Sequence, residues 1–292
     1  MKKYFLIAAV FVSVAVLGQQ KIVSQAVITT KTTIVVPDGE DDNAPPPPPS
    51  VDGQVVVRNF FGGAGETVAT TYIKNDMVKT VIKTDMMNTT TIRDNGQKKT
   101  TTLMEMMGKR TGFYANDAEM EDSRKRMDSM MQSRGVDLGR NNAAPSSVII
   151  VPTEGTKKIS GYECRKALVI STKTKNMLSA DGKLTQVNSA DTSTVWYTPD
   201  FKLQGVNSTG GMGGMFSFGR NAGLGGLDKI DGFPMQYEVK MQRGRKMIVE
   251  VTRIDINKEV KDKEFDIPKD FELKSLKDMQ GPGGGMQFRI GG

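Results

Sequence analysis

Histidine is absent from the 292 residues, and cysteine and tryptophan occur once each. Without imidazole, Ser-His-Asp and Cys-His nucleophile systems cannot be assembled, nor can zinc sites that need His ligands. With Cys164 alone, no intrachain disulfide can form. Cys164 lies between charged Glu163 and Arg165 in a strand-like run, so it reads as a small buried hydrophobe. A reactive thiol and an intermolecular bridge are the competing readings. Beyond the first twenty residues no segment is apolar enough to span a bilayer as a helix. Asp and Glu total 33, yet no two of them are set out as an acid/base dyad. The chain therefore reads as non-catalytic and without a cofactor.

The apolar run that does exist is at the start. Lys2 and Lys3 precede the uncharged stretch Tyr4 to Leu17, and Val16 and Gly18 supply small residues at the two positions a signal peptidase reads. Basic start, apolar middle and small-residue end are the parts of a secretory signal, with cleavage expected between Gly18 and Gln19. A membrane anchor is the other reading, but fourteen helical residues span only ~21 Å of a ~30 Å hydrocarbon core. Gln19 stands where a lipoprotein would carry Cys. The expectation is a periplasmic or secreted protein running from Gln19 to Gly292.

The formal charge of +7 falls to +5 without Lys2 and Lys3. Basic residues are dispersed among acidic ones, so no stripe of the kind that binds nucleic acid is formed. A mildly basic exterior suits anionic lipid heads or polysaccharide.

What remains is rich in strand signals. Lys21 to Val36 is dense in Val, Ile and Thr and stops at Pro37. Residues 37–53 hold acidic residues and five consecutive prolines, Pro45 to Pro49, and read as an extended linker loop. Val68 to Lys74 and Met77 to Thr84 flank Asn75-Asp76, a tight-turn pair. Thr89 to Arg93 and Lys99 to Met104 flank Asp94-Asn95-Gly96. Pro234 to Gln242 alternates strictly, with Met235, Tyr237, Val239 and Met241 on one side, and Lys246 to Ile256 returns from it. Repeated hairpins predict a meandering antiparallel sheet. One helix is predicted over Asp117 to Arg134, acidic at its start and stopped by Gly135. Met120, Met127, Met130 and Met131 lie near one face of it, which needs an apolar surface to cover.

Nineteen methionines is a high count. Methionine is flexible and polarisable, so it can line a cavity for variable apolar guests or fill gaps in a core. Cu(I) binding by thioether sulfurs is a sharper alternative, set against irregular spacing and no His or second Cys to assist. Gly-rich residues 205–227, with Met212, Met215, Phe216 and Phe218 among them, read as a hydrophobic contact loop or an insertion. They lack the strand–turn–helix setting of a phosphate loop. Asp38, Glu40, Asp41 and Asp42 lack calcium-loop spacing. Residues 281–292 read as a flexible tail. The candidate cavity residues are Met86, Met104, Met106, Met127, Met130, Met131, Trp196, Phe233, Met235 and Tyr237.

Several short stretches then stand out in order: Tyr72-Ile73-Lys74, Met77 to Thr80, Met86-Met87, Thr89 to Asp94, Leu103 to Lys109, Ile159 to Cys164, Val195-Trp196-Tyr197-Thr198, Gly232-Phe233-Pro234 and Phe265-Asp266-Ile267-Pro268. Across residues 26 to 273 the chain resembles a group of secreted bacterial proteins of unknown function, themselves similar to the periplasmic lipoprotein carriers LolA and LolB. The resemblance implies one domain over residues 19–280. Its fold would be mainly β (α+β): an incomplete, strongly curved antiparallel barrel with a helix over its concave face. It implies a hydrophobic guest such as a lipid or lipoprotein acyl chain, and it carries no catalytic residue. The proline insert, the glycine loop and the methionine content depart from a carrier, and leave an envelope protein-interaction module as the alternative.

Overall fold

The computed structural model describes residues 20–37, 65–84, 87–133, 147–178, 184–204, 227–240 and 244–279. The expected signal, the tail, and nearly all of the proline-rich and glycine-rich segments lie outside these residues.

The protein is mainly β. Its first strand signal is broken at Ser24 into β1 (Lys21–Val23) and β2 (Gln25–Val35) rather than forming one long strand. A meander follows: β3 (Gly65–Lys74), β4 (Met77–Lys83), β5 (Met87–Asp94), β6 (Lys99–Met106) and β7 (Lys109–Asn116), then helix α1 (Asp117–Ser133). A second meander runs through β8 (Ser147–Ile159), β9 (Tyr162–Leu178), β10 (Leu184–Thr198), β12 (Phe233–Lys240) and β13 (Lys246–Asp255), with the short β11 (Phe201–Leu203) between β10 and β12. The chain ends in β14 (Glu272–Ser275) and a helical turn, Leu276–Met279.

Both meanders belong to one twelve-stranded sheet, in the order β14-β7-β6-β5-β4-β3-β2-β13-β12-β10-β9-β8. The first runs outward from β2 to β7, the second runs inward from the β8 edge to β13, and they meet where β13 pairs antiparallel with β2. The sheet is curved and is not closed into a barrel. Its β8 side is rolled over. The Ser160 hydroxyl, in the β8–β9 turn, donates to the Val251 carbonyl of β13 at 2.6 Å, although three strands separate β8 from β13 in the sheet. A bulge between Thr153 and Thr156 allows the bend. Two pairings depart from the antiparallel expectation: β1–β11 and β14–β7 are parallel.

Turn chemistry sets the register. Asn75 takes φ +50°, the left-handed conformation that Asn tolerates, and joins β3 to β4 in two residues. At the β5–β6 turn the Asp94 carboxylate accepts the Gln97 backbone N–H at 2.8 Å. Alternation then sends Ala26, Ile28, Ile73, Val78, Val195, Tyr237, Val239, Met247 and Val249 to one face, where they form the main core with Val23, Phe201 and Ile230. This is the core face. Cys164 is buried in the same core, its thiol 3.6 Å from the Tyr162 carbonyl, and behaves as the small hydrophobe expected.

Residues 256–271 cross the opposite face of the first meander. Lys74 pairs with Asp262 at 2.6 Å, Lys79 donates to the Glu264 carbonyl at 2.5 Å, and Arg110 pairs with Asp270. Val260 and Phe265 of this strap are buried, as are Ile92 and Leu103 on the face it crosses. Gly112 lets the strands pack here, because a Cβ on it would meet the Thr102 carbonyl oxygen at 2.8 Å and Leu273 at 2.9 Å.

Helix α1 starts through a reciprocal cap. The Asn116 side-chain oxygen accepts the Glu119 N–H at 2.9 Å, and the Glu119 carboxylate accepts the Asn116 N–H at 3.0 Å. Asn116→Ala is expected to cost about 1 kcal/mol. Amide exchange should rise in the first turn of α1 while strand protection is unchanged. Equal loss of protection across the sheet would contradict a local capping role.

Candidate functional site

The register brings part of the predicted methionine surface together. Met104 and Met106 are on the core-face side of β6, with Thr102. Met106 pairs directly with Met87 of β5, and Met104 pairs with Thr89. All three methionines are half-buried. Met104 packs against a second, smaller core of Phe113, Ala115, Leu276 and Met279, where the closing helical turn folds onto the sheet. Between this cluster and the main core runs a row of threonines, Thr71, Thr80, Thr91 and Thr102, paired strand to strand. The buried Thr71 and Thr80 hydroxyls bond each other at 3.1 Å, satisfying two polar groups out of reach of water.

Arg93 also projects from this face, since it pairs with Val78 and Thr100. Its guanidinium bonds both carboxylate oxygens of Asp117, at 2.5 and 3.0 Å, and the Thr100 hydroxyl at 3.1 Å. The first residue of α1 is thereby tethered to the side of the sheet that carries the methionines. Lys277 of the closing turn pairs with Glu119 at 3.5 Å. Besides this tether, α1 packs against β7 and the closing turn, at the margin of the sheet. The side chains of Met127, Met130 and Met131, and the whole of Met86, lie outside the described residues.

The remaining candidates lie elsewhere. Phe233, Met235 and Tyr237 are 1–2% exposed and are packed within the main core, so they line no described opening. Burial pushes the Tyr237 phenol well above its ordinary range. Trp196 pairs with Gln236, has the opposite strand parity to the methionines, and is half-buried at the margin of the main core. Lys157 lies 4.5 Å from its ring centroid and Lys166 lies 6.0 Å away. Burial beside the ring lowers the Lys157 ammonium, with Glu250 opposing the shift. Met87, which sequence reasoning grouped with Met86 without choosing it, belongs to the site because of its strand parity alone.

Two clefts border the strap. The larger, about 460 Å³, has a mixed polar and apolar wall that includes Lys74, Asp76, Met77, Asp94, Asp262 and Phe265. The smaller, about 190 Å³, includes Tyr72, Val260 and Glu264. Among the described residues no three His, Cys, Asp or Glu side chains are grouped to hold a metal ion.

No family model matches the chain, and no curated protein matches it. Among solved structures it is similar to PNGF-II in two crystal forms. In the C2 form the TM-score is 0.36 at 12% identity, over 87% of this chain and 32% of that one. In the P21 form it is 0.35 at 15% identity, over 88% and 33%. The chain thus spans about a third of the length of PNGF-II.

Proposed function

We propose that this is an exported, non-catalytic envelope protein that binds a hydrophobic ligand, a lipid or acyl chain, against the methionine-bearing side of its curved sheet. The observation that carries the reading is the half-buried group Met87, Met104 and Met106, placed together by register on the side to which Arg93 tethers α1. Apolar surface left half in water gains about 25 cal/mol per Å² when a guest covers it, and thioethers adapt to guests of varied shape. In this proposal the guest is held against that surface, giving a half-barrel carrier or sensor of the kind the resemblance implies.

Native mass spectrometry after gentle purification should show bound lipid, and the emptied protein should take up a fluorescent fatty acid. Met104→Gln with Met106→Gln should weaken uptake roughly tenfold, because each places an amide where apolar contact is made. The two side chains are only half-buried, so the thermal midpoint should move little. A protein that is always empty and ignores fatty-acid and lipopeptide probes would end this reading.

One observation favours the alternative, a structural or protein-interaction module of the envelope. Phe233, Met235 and Tyr237 fill the main core with their own neighbours and leave no described space there. On that reading α1 covers the methionines permanently, and one stable protein partner co-purifies in place of lipid.

A further inference from the structure

The β8 side of the sheet carries apolar residues on the face away from the core. Ile149 pairs with Ile170, and Val151 pairs with Leu168. Their neighbours Val148 and Ile150 point the other way, onto the main core. Ile149 is 55% exposed and Val151 36%, while Leu168 and Ile170 are half-buried. These four form a two-by-two aliphatic block. In the next register row, on the same face, lie Lys166 and Trp196.

The edge backbone itself is guarded. Lys229 donates to the Val148 carbonyl at 3.4 Å, Pro152 has no N–H to offer, and the bulge at Gly155 breaks the pleat. Such devices discourage another strand from pairing there. What stays available is the side-chain surface and not the strand edge.

Its surroundings are basic. Lys157 and Lys166 hold two ammonium groups beside the Trp196 ring, and Lys229 stands at the edge strand. On the neighbouring strands β12 and β13 the acidic side chains are engaged: Glu250 accepts from Gln236 at 2.8 Å and Glu238 pairs with Lys246 at 3.1 Å. Exposed Glu163 is beside the hairpin tip, and exposed Glu154 lies in the bulge, next to Thr153, which pairs with Lys166. Short exposed aliphatics, an indole and lysines on long apolar stems together match the interface of a bilayer that bears negative head groups.

We propose that this face of β8, β9 and β10 docks the protein onto an anionic lipid surface, through the Ile149–Val151 block and the ammonium groups of Lys166 and Lys229. The inference is independent of the methionine site, which lies on the other side of the sheet.

Sedimentation of the full chain with vesicles tests it, comparing equal parts phosphatidylglycerol and phosphatidylcholine against phosphatidylcholine alone. Binding is expected to the anionic vesicles only, and to weaken as salt is raised. Lys166→Gln should lower affinity about fivefold, as expected for one cation near such a surface. Ile149→Thr with Val151→Thr keeps the branched Cβ that strands favour, and should lower it at least as much. Thermal melts confirm that both variants fold. Because every variant shares the apolar run at residues 4–17, the differences between variants read this face alone. Equal binding to neutral vesicles, or affinity unchanged in both variants, would overturn the proposal. So would a dimer that ignores vesicles and dissociates in the threonine variant, since a second copy would then be the occupant.

Discussion

Phe201→Ala should destabilise the fold by about 3–5 kcal/mol, the largest effect expected of any single truncation. Phe201 is 1% exposed, its ring stacked on Phe233 at 5.3 Å and edge-on to Tyr162 at 5.2 Å. Truncation loses the buried area, leaves a cavity and breaks two aromatic contacts together. It also removes the anchor of β11, which among the described residues pairs with β1, so the two-stranded unit should loosen before the large sheet does. Urea denaturation followed by tryptophan fluorescence reads the total, because Trp196 packs at the margin of the same core. Amide exchange should show protection lost first at Ile22 and Val23. A loss below about 1 kcal/mol would mean that the β1–β11 unit is ancillary to the core rather than part of it.

The strand pairs joined by tight turns were legible in the sequence because their causes are local. Asn75-Asp76 and Asp94-Asn95-Gly96 fixed the β3–β4 and β5–β6 hairpins. Alternation at Met235, Tyr237 and Val239 identified the buried side of β12, and the acidic start at Asp117 located α1 within a residue. Ser24 hid the break between β1 and β2, since nothing in Val-, Ile- and Thr-rich sequence says which partner each half will take. The parallel pairings β1–β11 and β14–β7 depend on contacts across most of the chain and leave no local trace. The strap was equally hidden: the ion pairs Lys74–Asp262 and Arg110–Asp270 join residues more than 150 positions apart.

The candidate site divides along the same line. Met104 and Met106, two residues apart in one strand, had to share a face, and they do. Phe233, Met235 and Tyr237 also share a face, but which face is solvent-lined and which is core depends on the rest of the sheet. Trp196 has the opposite parity because its position in β10, and not its aromatic character, sets it.

Alkaline pH should lower the stability of the protein in a window to which one buried thiol contributes strongly. Burial pushes the Cys164 thiol up to about 11, with Asp200 and Glu163 adding to the shift while the Ile159 backbone and Lys157 oppose it. In the unfolded chain the thiol has its ordinary value of 9.0. Between about pH 9 and 11 the unfolded chain therefore gives up a proton that the folded chain keeps. The unfolded state then binds fewer protons, and stability falls as pH rises. Below pH 9 this contribution is intact. By pH 11 it should have removed roughly 2–3 kcal/mol. The Tyr237 phenol, raised by the same desolvation, extends the decline beyond pH 10. Cys164→Ala should begin from a somewhat lower baseline, because it leaves a small cavity, yet lose less between pH 9 and 11. Urea midpoints measured across that range for both proteins provide the comparison. Lysine titration is common to the two, so the difference in slope isolates the thiol. Parallel curves would show that the thiolate finds water or a cation in the folded state and that Cys164 is less enclosed than its packing indicates. The same burial should keep the native thiol unreactive toward a thiol-specific reagent at neutral pH, with reaction appearing only as urea opens the core.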